Sequence, residues 1–161
     1  MKEDVPGLQV VYVGRSVETR DGVGYGEWLA AHAAQSGVDV RLIPHVARDQ
    51  LVLLYARARV LAVPSRSDNF PMVVLEAMAS GRAVVCRDEV GLSWLVERVD
   101  PGAVVPVGDP DALAAALLPY LTNAVTAARA GEQARAAVAG ECSPPVVAAR
   151  REACYVEARR R

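Results

Sequence analysis

The chain has 161 residues, one domain's worth, and at that length a fold buries roughly 70% of the surface its extended chain exposes, so no disulfide or metal staple is required. Hydrophobic residues make up 52% and charged residues 23%, which excludes a disordered or low-complexity chain. Eighteen basic residues against nineteen acidic ones leave a net charge of −1, so no global field draws the protein to nucleic acid or to an anionic membrane.

In chain order, short apolar runs alternate with longer amphipathic ones. Leu8 to Val13 is predicted as a buried strand ending at Gly14, because it is short, β-branched and almost wholly apolar. A glycine-broken loop reaches Gly24, and a helix is predicted from Tyr25 to Gln35, closed by Gly37. Val38 to Ile43 reads as the second strand, stopped by Pro44, and Arg48 to Ala58 as a helix with Leu51, Leu54 and Tyr55 on one face. Val60 to Val63 is the third strand, followed by the polar loop Pro64 to Asn69. A helix from Pro71 to Ser80, with proline at its first position, ends at Gly81. Ala83 to Cys86 is the fourth strand, Leu92 to Glu97 a short helix, and Ala103 to Val105 the fifth strand. Asp109 caps a helix that runs to Leu121, and from about residue 122 the chain reads as terminal helices, over Thr122 to Ala139 and Pro145 to Arg161.

Strands alternating with helices and apolar on both faces predict a parallel sheet covered on both sides. The fold class is therefore α/β: one Rossmann-like, doubly wound domain of about five strands over residues 1–161. Cys86, Cys142 and Cys154 are odd in number and show no CxxC spacing, and His32 and His45 have no thiol or carboxylate at ligand spacing. Reduced thiols and no metal are expected. No leader pattern is evident and no apolar run approaches the roughly twenty residues of a spanning helix, so a cytoplasmic location without a membrane span is expected.

In such sheets ligands bind outside the carboxyl ends of the strands. The loop from Pro64 to Pro71 is the most informative of these, since a helix start opens directly after it and offers free N–H groups to an anion. Glu76 is the only ionisable residue between Pro71 and Ala79. If that helix packs on the sheet, a carboxylate there wants hydroxyl or N–H donors, and a ribose would supply two. The competing reading is a Glu76 that faces solvent or pairs with an arginine such as Arg66.

The run Ser65 to Val85, SRSDNFPMVVLEAMASGRAVV, closely resembles the donor-binding signature of glycosyltransferases of the GT-B fold, family four type. That signature carries two acidic residues around an Asn-Phe-Pro turn, matched here by Asp68 and Glu76. Val38 to Ser65 resembles the strand and helix that precede it, Val90 to Leu117 the two units that follow, and Cys142 to Tyr155 the family's terminal helix. The resemblance implies that Glu76 bonds the ribose hydroxyls of a nucleoside-diphosphate sugar. Asp68 would hold sugar hydroxyls near the anomeric carbon and is the one carboxylate offered as catalytic. Asn69, Phe70, Pro71, Met72 and Leu75 would surround the sugar and phosphates, and the base would lie against Ile43, Pro44 and His45. The nucleotide-sugar is then a substrate, and no cofactor or metal is implied.

Two departures qualify the match. The family usually has glutamate where Asp68 stands, one methylene longer. The complete fold pairs two Rossmann domains, and this chain matches only the second, so the N-terminal acceptor-binding domain is expected to be absent. The second domain's own opening strand and its diphosphate-clamping basic loop are also unmatched. Gly14-Arg15 and Arg20 echo that loop, whereas Pro6-Gly7-Leu8 and Ser36-Gly37-Val38 fit the next unit better. The expected protein is thus the donor-binding half of a retaining hexosyltransferase, inactive in isolation, with an exposed sheet edge that invites self-association. The alternatives are a non-catalytic nucleotide-binding or interaction module from a truncated gene, and a flavodoxin-like regulatory domain. The latter wants acidic residues after the first strand and a lysine after the fifth, and the sequence has neither.

Overall fold

The computed structural model describes residues 4–14 and 22–160. The chain divides into two compact units, Met1–Leu54 and Tyr55–Arg161.

In the first unit β1 (Gln9–Val13) pairs in parallel with β2 (Asp39–Ile43), from Gln9 opposite Asp39 to Val13 opposite Ile43. Between them runs α1 (Tyr25–Ser36), packed on β2 and closed by Gly37 at φ 62°, a left-handed conformation that glycine adopts without strain. The apolar character of β1 predicted a buried strand, yet all five of its residues are exposed. The described helix between the two strands, α1, packs on β2, so β1 receives little cover, and Ala33 is the one buried side chain among the unit's described residues.

The second unit holds the core. Its sheet has the order β3 (Val60–Val63), β4 (Ala83–Arg87), β5 (Val104–Val105), all parallel. β4 is central, and Ala83, Val84, Val85 and Cys86 are all buried, as a strand covered on both faces requires. The remaining elements are α2 (Arg48–Arg57, which begins in the first unit), α3 (Met72–Ala79), α4 (Ser93–Glu97), α5 (Pro110–Thr122), α6 (Ala124–Glu141) and α7 (Pro144–Ala158). The parallel strands and intervening helices are Rossmann-like, as expected, and the five strands form two sheets.

Two close contacts fix α3 and α5. Gly131 of α6 lies so near the turn after α3 that an added Cβ would stand 2.1 Å from the carbonyl oxygen of Gly81. The buried Tyr120 of α5 donates its hydroxyl to Asp100 at 2.5 Å, and Asp100 also accepts from the Gly102 N–H at 2.9 Å. Pro71 is the N-cap of α3, one place earlier than the sequence reading put it. Asp109 caps α5 as expected, accepting from the Ala112 N–H at 2.8 Å. The segment after Thr122 forms one helix, α6, whose N-cap Asn123 accepts from Val125 and Thr126.

Candidate functional site

Parallel strands deliver their following loops to one end of a sheet. In the second unit these are the segments after Val63, Arg87 and Val105, and hydrogen bonds tie them together. The Asp68 main chain forms an isolated parallel bridge with Val90, and the Gly91 N–H donates to the Asp68 carbonyl at 2.8 Å. Asp88 accepts from the N–H groups of Glu89 (3.0 Å) and Val107 (3.2 Å), joining the second loop to the third. Arg87 Nη1 donates to the Pro106 carbonyl at 3.5 Å, while its buried Nε has no partner among the described residues.

Asp68 is half-buried, and its Oδ1 accepts from the Phe70 N–H at 3.2 Å, so the carboxylate turns the chain toward α3. Asn69, Phe70 and Met72 are exposed, Pro71 is buried beneath them, and Leu75 is half-buried. No side chain caps α3. Its first N–H groups lack intrahelical partners by geometry, apart from that of Val74, which donates to the Pro71 carbonyl at 3.0 Å. The end is open, polar at the backbone and positive in its dipole.

Glu76 lies one turn along α3, half-buried, with seven residues between it and Asp68. Its Oε2 accepts a hydrogen bond from the hydroxyl of Tyr55 at 3.2 Å. The sequence reading weighed a ligand-seeking buried carboxylate against a pair with Arg66. The structure gives a half-buried carboxylate held by a tyrosine, and no ion pair to Arg66 forms. Tyr55 is itself buried at 6% exposure, and that burial, with the Glu76 charge and hydrogen bond added, pushes its hydroxyl up to about 12. It therefore stays protonated, and a donor, through the whole physiological range. Tyr55 is the site residue that sequence reasoning missed. The available signal was a polar tip on an otherwise apolar helix face.

Ile43 and His45 belong to the first unit. Ile43 ends β2, half-buried, and its carbonyl accepts the Gly14 N–H at 3.0 Å; His45 follows, exposed, between β2 and α2. Between them, Pro44 borders an open cleft of about 360 Å³ whose walls include Tyr12, Tyr25 and Leu42. Arg15 and Arg20 lie outside the described residues. The structure thus assembles Asp68 through Glu76 with Tyr55, and sets Ile43 and His45 in the other unit. Among the described residues no group of three or more His, Cys, Asp or Glu side chains could hold a metal, and no helix is long and apolar enough to cross a membrane.

Comparison with known proteins follows the same line. The profile of the family described as Glycosyl transferases group 1 matches residues 2–123. A D-inositol 3-phosphate glycosyltransferase from Mycobacterium avium (strain 104) is 34% identical over 141 residues, 86% of this chain and 33% of its own. A lipopolysaccharide core biosynthesis mannosyltransferase, LpcC, from Rhizobium leguminosarum bv. viciae is 31% identical over 116 residues, 72% of this chain and 33% of its own. Among solved structures, the sucrose-phosphate synthase of Thermosynechococcus elongatus superposes with a TM-score of 0.76 at 26% identity, covering 91% of this chain and 37% of that one. The chain therefore spans about a third of the length of the curated relatives it matches.

Proposed function

Because the chain belongs to the group 1 glycosyl transferases, we propose that it is a single Rossmann-like domain forming the donor-binding half of a retaining hexosyltransferase. The donor is a nucleoside-diphosphate sugar. In the reaction the bond between the sugar's anomeric carbon and the diphosphate oxygen breaks. A new bond forms to an acceptor hydroxyl, whose proton is lost, and the configuration at the anomeric carbon is kept.

The observation that carries the reading is the Tyr55–Glu76 pair at 3.2 Å. One carboxylate oxygen of Glu76 is engaged by a hydroxyl that stays protonated at neutral pH, which orients the group and leaves its second oxygen for a ribose hydroxyl. The uncapped start of α3, at Met72 and Val73, supports diphosphate binding, because N–H groups and dipole favour anions there. Asp68 takes the sugar hydroxyls and is the residue assigned to catalysis, with Asn69, Phe70, Pro71 and Leu75 lining the donor. Ile43 and His45 are assigned to the base, as the family resemblance implies. Departure of the diphosphate is aided by groups aimed at developing negative charge. No cofactor or metal takes part in this scheme. The three cysteines are free, which supports action in the cytoplasm.

Acceptor binding and transfer are assigned to a further domain, in line with coverage of about a third of the relatives' length. The test is calorimetric titration of the chain with a panel of nucleoside diphosphates and their sugars. Binding of at least one pair is expected; heatless titrations for every member up to millimolar concentration would overturn the proposal.

A further inference from the structure

Gly91 has a role that its backbone conformation does not explain. Its φ is outside the left-handed region, so any residue could adopt it. What excludes a side chain is space: a Cβ at position 91 would stand 1.8 Å from the carbonyl oxygen of Asn69 and 2.7 Å from its carbonyl carbon. Real Cβ atoms do not come so near, so one backbone or the other would have to move.

The surrounding burial decides which moves. Val90 and Leu92 flank the glycine at 1% and 0% exposure, anchoring that segment in the core on both sides. Ser93 adds to this, with its N–H on the Val90 carbonyl at 2.8 Å and its hydroxyl on the Asp88 carbonyl at 3.1 Å. The opposing segment is softer: Asn69 and Phe70 are exposed and Asp68 is half-buried. A side chain at 91 would therefore push the 68–70 loop outward and break the Gly91 N–H to Asp68 carbonyl bond.

We propose that Gly91 is a positioning residue for sugar recognition: its missing side chain and its N–H set where the Asp68 carboxylate stands. The inference rests on the donor-binding reading above. Gly91 touches no ligand in this scheme and acts through Asp68. Misplacing a group by about an ångström can cost on the order of 100-fold in rate.

The test compares Gly91→Ala with Gly131→Ala, whose added Cβ would stand 2.1 Å from a backbone oxygen outside the 68–70 loop, that of Gly81. Each variant and the wild type are titrated with UDP-glucose and GDP-mannose and with UDP and GDP. Gly91→Ala should lose roughly tenfold or more in affinity for whichever nucleotide-sugar the wild type binds, and under threefold for the matching diphosphate. Gly131→Ala should lower the melting temperature and leave that ratio unchanged. An unchanged ratio in Gly91→Ala, or the same change in both variants, overturns the inference. A wild type that binds none of the four probes fails the donor reading instead.

Amide hydrogen exchange on the wild type supplies a measurement that needs neither a folded variant nor a ligand. The Gly91 amide should be strongly protected although the residue is exposed. Exchange at open-loop rates would show that the 68–70 loop is not held there.

Discussion

Asp68 stands in the connection from β3 to α3 and Glu76 one turn into α3, and their environments differ. Asp68 has an N–H partner two residues on and stands in a loop, whereas Glu76 is fixed to a rigid helix by a buried phenol. Asp68→Asn should accordingly weaken the nucleotide-sugar and leave the bare diphosphate nearly unchanged, as competitive titrations would read; an equal loss for both would move Asp68 to loop support. Tyr55→Phe removes a donor to a carboxylate, worth about 1.5–3 kcal/mol, and should weaken nucleotide binding less than removal of Glu76 itself. The pH dependence follows from three buried acids. Tyr55 is pushed up to about 12 and Cys86 to about 11, both chiefly by burial, and Tyr120 is raised further by burial and its bond to Asp100. The folded state holds these protons more tightly than the unfolded chain. Stability from them is complete below about pH 9 and is lost as pH rises through about 11 to 12. Thermal melts should be flat across neutral pH with respect to these groups and fall steeply above pH 10. Tyr55→Phe should soften that fall.

At the scale of elements, the sequence announced most of what local chemistry decides. β3 occupies Val60–Val63 as read, and Asp109 caps α5 because an N-cap acid followed by proline is a local signal. The candidate residues from Asp68 to Glu76 were legible for the same reason: they are contiguous. Tyr55 was not, since its bond to Glu76 spans 21 residues and exists only once α2 and α3 meet. Gly91 was invisible too, because its requirement is imposed by another loop. The exposure of β1 ran against its apolar composition, for composition states what a strand can bury and not what is there to cover it. The Gly131–Gly81 approach carries an element-scale prediction. Gly131→Ala should force α6 away from the α3 turn and cost about 1–3 kcal/mol of stability, read by denaturant unfolding. A variant as stable as wild type would mean that α6 yields without loss.

At the scale of the whole molecule, the chain is expected to hold donor and transfer nothing. Fixing two reactants in attack geometry is worth about 7–11 kcal/mol, and acceptor placement is assigned here to a further domain. Incubation with nucleotide-sugars and candidate acceptors should release no nucleotide, and acceptor-dependent turnover by this chain alone would contradict the division of labour. Among the described residues β1 pairs with β2 alone, and with Val10, Val11 and Val13 exposed, self-association that rises with concentration is expected in sedimentation experiments. Cys86 is fully buried in β4, Cys142 is the C-cap of α6 and Cys154 lies in α7, so replacing all three by Ala or Ser should leave nucleotide binding within a few-fold. The central claim is that Glu76 anchors the nucleotide, and calorimetric titration of wild type and Glu76→Ala with the same nucleoside diphosphate tests it most directly. Wild-type dissociation constants in the high micromolar to millimolar range are expected, about 4–6 kcal/mol of binding, with a loss of roughly ten- to a hundred-fold in the variant. A folded Glu76→Ala protein that binds the nucleotide as tightly as wild type would contradict the account.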